Sequence, residues 1–220
     1  MIPVLYEDAQ ILVCIKPPGL LSVSEEESSA ASELSRHREA NGEDSYIGVI
    51  HRLDRGVGGV MVFAKSSQAA AFLSKEIQKG TFSKSYLTVV QGCPEPLCGT
   101  WTDLLFKDSS KNKSFVVRKK RRGVREASLE YEVLETAEAA KGAASAVRIH
   151  LQTGRTHQIR VQFSSRKHPL LGDGKYGSRE NCNIALWSCC ISFSHPKTGK
   201  WIEFETMPDR EQYPWNLFTL

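Results

Sequence analysis

Apolar and polar positions change period several times along the 220 residues, and each period predicts an element. The β-branched run over residues 9–16 predicts a strand that ends at K-P-P-G-L, where two prolines withdraw backbone donors. Residues 22–46 keep no steady period; they read as a mobile connection in which residues 31–39 can make a short helix. Residues 60–65 predict a buried strand. Ser67 then predicts the cap of a helix that runs to Lys79 and stops at Gly80, with Ala70, Leu73 and Ile77 as its inner stripe. Residues 81–91 are strand-like, and the alternating A-S-L-E-Y-E-V of 127–133 and A-V-R-I-H-L of 146–151 predict half-buried, mostly antiparallel strands. A helix is expected to begin near Thr156. Residues 191–195 and 200–205 flank P-K-T-G and predict a hairpin. Strands outnumber helices without alternating regularly with them, so the expected class is α+β, with no internal repeat.

Length and composition add bounds. One domain over 1–220 is the expectation for a chain of this size, and 40% apolar with 25% charged residues is an ordinary globular mixture. Every apolar run falls short of the roughly 18 residues a membrane-spanning helix needs. The start, M-I-P-V-L-Y-E-D, lacks the basic region and apolar core of a secretory leader, so the cytoplasm is the expected compartment. Six cysteines (Cys14, Cys93, Cys98, Cys182, Cys189, Cys190) form no C-x-x-C pair, which favours reduced thiols over disulfides and argues against a metal site. The formal charge of +4 is modest, but residues 118–125, R-K-K-R-R-G-V-R, hold six cations and no acid, while acids gather over 22–44. One face is therefore expected to be far more positive than the average. That run reads equally as a phosphate-contacting surface or as a solvated hairpin tip.

Several chemistries are excluded by what accompanies their motifs. Gly172, Gly174 and Gly177 make a literal G-x-G-x-x-G, but H-P precedes it, S-R-E-N-C-N follows it, and no acid lies between Glu180 and Glu203. It is expected to be a loop, not a dinucleotide site, and no nucleotide cofactor is implied. No phosphate-cradling loop, zinc-deaminase pattern or G-x-S-x-G elbow occurs. What remains is Arg, His and Asp concentrated in H-R-L-D at 51–54 and L-Q-T-G-R-T-H-Q-I-R-V at 151–161. Arg160 would lie one turn into its helix, on the face of His157, where it can reach a carboxylate from another loop. Taken alone, such an Arg and Asp form a structural ion pair.

In their order, these motifs resemble the RluA-like pseudouridine synthases. H-R-L-D with its glycine-rich turn and V-M-V-F-A-K is followed by K-S-Y-L, then L-x-T-G-R-T-H-Q-I-R-V, H-P-L-L-G-D-x-x-Y-G and S-H-P-x-T-G, which together span nearly the whole chain. The chain departs from the family pattern at Val57 and Gly58, where threonine and serine are usual, and at Gln162 and Trp187, where histidine is common. The resemblance is to the short, catalytic-domain-only members without an N-terminal RNA-binding module, and it implies their mixed, mostly antiparallel sheet.

It further implies an isomerase that cuts the bond from ribose C1′ to uracil N1, turns the base and rejoins it through C5, with no cofactor. Asp54 matches the essential aspartate. An ionised carboxylate there profits from a facing arginine, for which Arg160 is the first candidate and Arg155 the second. Tyr86 matches a tyrosine packed on the target base, and Arg52 the residue that fills the space the base vacates. The glycines are expected to let the turn approach RNA closely. Lys84, Arg155, His157, Arg118, Lys119 and Lys120 are the expected RNA contacts. The implied partner is a stem-loop of ribosomal or transfer RNA, and a monomer is expected. Two alternatives remain: a noncatalytic RNA-binding protein on the same fold, and a glycoside hydrolase. The latter needs a second acid roughly 5–9.5 Å from the first, for which the sequence offers no candidate.

Overall fold

Asp8 makes the first chain reversal. Its carboxylate accepts the N–H groups of Gln10 and Ile11 at 2.7 and 2.9 Å, joining β1 (Val4–Glu7) to β2 (Ile11–Lys16) as an antiparallel pair. All four residues of β1 are exposed, so no apolar alternation announces this strand in the sequence. The structure is a computed structural model that describes residues 2–220. It divides into two compact units: one runs to Lys84 and resumes over Trp187–Pro208, and the other comprises Ser85–Leu186 and Asp209–Leu220.

In the first unit the segment read as a mobile connection carries α1 (Ala30–Ala40). Ser29 caps it by accepting the Ser32 N–H, while the Ser32 hydroxyl takes the Ser29 N–H in return. Buried Arg38 donates to the Tyr46 carbonyl at 2.6 Å and pairs with Glu43 at 3.2 Å. Polar bonds, not an apolar period, organise this segment, which is why periodicity gives no account of it. Next come β3 (Gly48–Val49) and β4 (Gly58–Ala64), which pair with each other antiparallel. All seven residues of β4 are buried, and β2 lies antiparallel beside it from Ile11↔Ala64 to Lys16↔Gly59. The helix α2 (Ser67–Lys79) covers the expected residues and stops at Gly80 in the left-handed region. Its cap is Ser66 instead of Ser67, and its buried stripe is Ala69, Leu73 and Glu76, one step round from the expected Ala70, Leu73 and Ile77.

The strands of the second unit are β5 (Ser83–Gln91), β6 (Cys98–Asp108), β7 (Lys113–Val117), β8 (Val124–Ala139) and β9 (Gly142–Leu151). They pair in the order β5-β9-β8-β6-β7, each pair antiparallel. β7 and β8 flank β6 on opposite sides and run the same way. Residues 118–123 therefore cross between two strands and do not form a hairpin tip. The helix α3 (Gln158–Ser165) starts two residues after Thr156 because His157, with φ 54°, turns through the left-handed region. It packs Val161 among Leu105, Ala127 and Tyr176 and brings Phe163 edge-on to Trp101 at 4.6 Å.

The chain then returns to the first unit with β10 (Leu186–Ser194) and β11 (Trp201–Glu205), the expected hairpin. β10 lies parallel to β4 at Trp187↔Gly58 and Ser188↔Gly59, which makes the sheet mixed. Ile11, Val13, Val60 and Val62 meet Ile191 and Phe193 in the core beneath Leu73, and Phe82 stacks on Phe193 at 5.0 Å. The architecture is α+β with mostly antiparallel pairing. No helix among the described residues is long and apolar enough to cross a membrane.

Candidate functional site

Asp54 sits half-buried in a turn closed by the Val57 N–H donating to its carbonyl at 3.0 Å. Residues 19–22 grip that turn on both sides. The Ser22 hydroxyl accepts the Leu53 N–H at 3.0 Å and donates to the Leu53 carbonyl at 2.9 Å. Gly19, with φ 89°, donates its N–H to the Arg55 carbonyl at 2.7 Å, and Arg55 Nε returns a bond to the Gly19 carbonyl at 3.1 Å. Both chain neighbours of Asp54 are thus fixed by the segment that follows K-P-P. Arg52, between Leu53 and His51, is exposed.

His51 ties the start of the motif to β4, its Nε2 accepting the Val62 N–H at 3.2 Å. That bond assigns the proton to Nδ1, which is buried without a hydrogen-bond partner among the described residues. Burial, and then the charge of Lys84, push the His51 pKa down to about 3, so the ring is neutral at physiological pH. Lys84 itself is half-buried, with Nζ 5.9 Å from the Phe82 ring centre and a pKa lowered by burial.

Gly58 and Gly59 serve internal packing. A Cβ on Gly59, which has φ 122°, would lie 2.3 Å from the Ser188 carbonyl oxygen. One on Gly58 would lie 2.4 Å from Trp187 Cζ3 and 2.9 Å from Pro18 Cδ. These two positions lack a side chain because the protein's own strand approaches, a reason the sequence reading does not give. Gly58 and Trp187 are also two of the departures from the family pattern, and they touch. Gly58→Ser is expected to destabilise the fold by roughly 1–3 kcal/mol, as overpacking does. Adding Trp187→His should recover at least about half of that loss in urea unfolding. Additive effects of the two changes would show that the departures are independent.

In the second unit Tyr86 lies opposite Ile149 in the β5–β9 pair and is 6% exposed. The two candidate arginines part company. Arg155 is exposed and donates from Nε to the Glu126 carbonyl at 2.9 Å. Arg160 is buried and makes a two-pronged ion pair with Asp173, Nε to Oδ2 at 2.6 Å and Nη2 to Oδ1 at 2.9 Å. Its guanidinium also lies 5.1 Å from the Tyr176 ring centre. His157 is buried with Nδ1 2.9 Å from the Tyr176 hydroxyl, which also accepts the Ser114 N–H at 2.8 Å. His157 and Arg160 are therefore brought together on Tyr176, while Arg155 points elsewhere.

Asp173, Tyr176 and Gln158 carry this arrangement, and residue-by-residue reading assigns them no role. Gln158 Oε1 accepts the Arg155 N–H at 3.0 Å and the Thr153 hydroxyl at 2.8 Å, and Nε2 donates to the Ser128 carbonyl at 3.0 Å. The sequence signal for Asp173 is a lone acid closing the apolar L-L-G-D. The G-x-G-x-x-G here is a loop with one 3-10 turn, Gly174–Tyr176, and a Cβ on Gly172 would strike the Asn183 carbonyl at 2.3 Å.

Arg118, Lys119 and Lys120 are exposed, and Arg121 lies over the Phe106 ring at 4.8 Å. Among the described residues, Cys190, Glu203 and Glu205 bring three possible metal-ligand atoms within 4.8 Å of one another. Burial first, then the Glu203 carboxylate, push the Cys190 thiol up to about 12.

Residues 10–165 match the sequence profile of a family described as RNA pseudouridylate synthase. An uncharacterized RNA pseudouridine synthase of Bacillus subtilis is 32% identical over 92% of this chain and 67% of its own length. One of Aquifex aeolicus is 34% identical over 93% of this chain and 68% of its own length. The ribosomal large subunit pseudouridine synthase D of Borreliella burgdorferi is 31% identical over 80% of this chain and 55% of its own. Among solved structures, human RNA pseudouridylate synthase domain containing 4 superposes with a TM-score of 0.78 at 20% identity, covering 95% of this chain and 89% of that one.

Proposed function

Because the chain belongs to the RNA pseudouridylate synthase family, a family of RNA-acting isomerases, we propose that it converts a uridine in a stem-loop of ribosomal or transfer RNA, with Asp54 as its catalytic carboxylate. The observation that carries this reading is the double fastening of the Asp54 turn, through Ser22 to Leu53 and through Gly19 to Arg55. Holding both neighbours of a reacting group is how a protein fixes its approach to substrate.

In the reaction the C1′–N1 bond breaks, a C1′–C5 bond forms, C5 gives up its proton and N1 takes one up. Atoms and electrons balance without a cofactor. Asp54 supports the electron-poor sugar carbon or takes a sugar proton, and either role needs the carboxylate charge. Tyr86 packs on the base and assists proton removal at C5. Arg52, exposed beside the turn, fills the space left by the everted base, whose unstacking costs a few kcal/mol. Arg155 reaches RNA from its exposed position. His157 and Arg160, both buried, act by shaping the loop that carries them, and Lys84 contributes charge from beneath the surface. The Borreliella relative supports ribosomal RNA as the first substrate to test. This reading places a monomeric enzyme in the cytoplasm.

Tritium release from [5-3H]uridine-labelled total RNA, taken from a strain lacking the gene, tests the reading, and pseudouridine mapping in the same RNA locates the target. Release with one new pseudouridine is expected. Binding without release would favour the noncatalytic alternative.

The exposed basic residues supply phosphate contacts. Changing Arg118, Lys119 and Lys120 to glutamate is expected to weaken RNA binding and to flatten its log–log salt dependence by roughly 0.7–0.9 for each phosphate no longer neutralised. An unchanged slope would mean that the run faces away from the RNA.

A further inference from the structure

Lys16 ends β2 with no exposed surface at all, 0%, yet it is a cation. Its ammonium donates to the Pro17 carbonyl at 2.9 Å, the Leu20 carbonyl at 2.8 Å and, more weakly, the Arg55 carbonyl at 3.4 Å. Three N–H donors meet three carbonyls, which is the full capacity of an ammonium. The first two bonds fold residues 17–20 into the turn that presents Gly19 and Ser22 to the Asp54 loop. The third reaches the residue after Asp54. A buried charge is retained at such cost only where its bonds are made, and here all of them organise the two segments around one carboxylate.

We propose that Lys16 is a positioning residue for Asp54, its protonated ammonium fastening the 17–20 turn against the residues on either side of that aspartate. This rests on the reading of Asp54 as the catalytic carboxylate. The charged and titratable groups that face Lys16 are the Asp54 carboxylate and the Cys14 thiol on β2. Burial lowers the Lys16 pKa to about 8 against the opposing pull of Asp54, while burial holds the Cys14 thiol at about 12, outside the relevant range.

A neutral amine keeps two donors for three carbonyls, so the turn loosens as pH rises through about 8. The sign of the stability change is opposite. A base whose folded pKa lies below its ordinary 10.5 binds fewer protons folded than unfolded, so its contribution to stability grows from about pH 8 upward and is lost as pH falls through 8. Activity should fall while stability does not, a pairing that loss of structure cannot produce.

Single-turnover tritium release from the labelled total RNA described above, between pH 6.5 and 9, is to be measured beside the melting temperature at each pH. The wild-type rate is expected to drop up to about tenfold with an inflection near 8, with no fall in melting temperature between pH 8 and 9. Lys16→Met should be about tenfold slower at pH 7, keep its RNA affinity within about threefold and lose the inflection, because it retains only the titrations of the RNA itself. If that variant does not fold, the wild-type profile and melting series decide alone. A flat or rising wild-type profile, a melting temperature that falls with the rate, or an inflection that survives in Lys16→Met overturns the proposal. An active wild type with a flat profile removes Lys16 only; a wild type inactive at every pH removes the functional reading and this proposal with it.

Discussion

Asp54→Asn is expected to abolish tritium release while RNA affinity stays within a few-fold of the wild type. The amide has the shape of the carboxylate, and three of the bonds that fix the turn run through other groups: the Ser22 hydroxyl to Leu53, Gly19 to Arg55, and the Val57 N–H to the carbonyl of residue 54. The turn keeps those three bonds while the charge is removed. A neutral amide neither attacks nor stabilises an electron-poor C1′ and takes no proton, so the loss should exceed the roughly 10²–10³-fold that follows removal of a single stabilising dipole. The substitution also withdraws the charge that opposes burial of Lys16, so the Lys16 pKa should fall below about 8. Appreciable pseudouridine formation by Asp54→Asn would remove Asp54 from the centre of the mechanism.

How far the sequence discloses the molecule depends on what each element is made of. β4 and α2 are legible because burial is written into them, seven consecutive buried residues in one and a 3.6-residue stripe in the other. β1 is exposed throughout, and α1 is held by a serine capping box and by Arg38 bonding forward to Tyr46, so neither is written as a buried apolar stripe. β6 alternates only between exposed and half-buried residues over 98–103 and buries Leu105 alone, so its hydropathy pattern is weak.

The candidate site divides in the same way. Motif order singles out Asp54, Tyr86 and Arg160, but the groups that hold the surrounding loops are found only in three dimensions. Lys16 looks like an ordinary surface lysine before two prolines, and only its three carbonyl acceptors show it to be a buried cation. The glycines are the instructive case: flexibility at Gly58 and Gly59 is plain in the sequence, but its cause, the approach of Trp187 and Ser188, comes from a strand about 130 residues away.

Asp173→Ala should be the most damaging change to stability in the second unit, by roughly 3–5 kcal/mol in urea unfolding. The carboxylate is 1% exposed and the Arg160 side chain 6%, so its loss leaves a buried guanidinium without the two oxygens that now accept from Nε and Nη2. The Tyr176 ring beneath Arg160 does not replace a charge. The 3-10 turn that Asp173 opens takes no capping bond from its side chain, so Tyr176, whose hydroxyl meets both His157 and the Ser114 N–H, should keep its place and the damage should come from the charge. Removing both charges together is a different experiment. Arg160→Met with Asp173→Leu replaces both groups by apolar ones, and should recover part of the lost stability, because part of the penalty of the single variant comes from the charge that has lost Asp173. Turnover should not recover with it, since the reading of Arg160 as a shaper of the 151–161 loop requires its guanidinium bonds and not merely its bulk. A double variant that regains both stability and turnover would show that the ion pair is structural and dispensable to the chemistry. A single Asp173→Ala variant as stable as the wild type would mean that Arg160 finds an equivalent acceptor when Asp173 is removed.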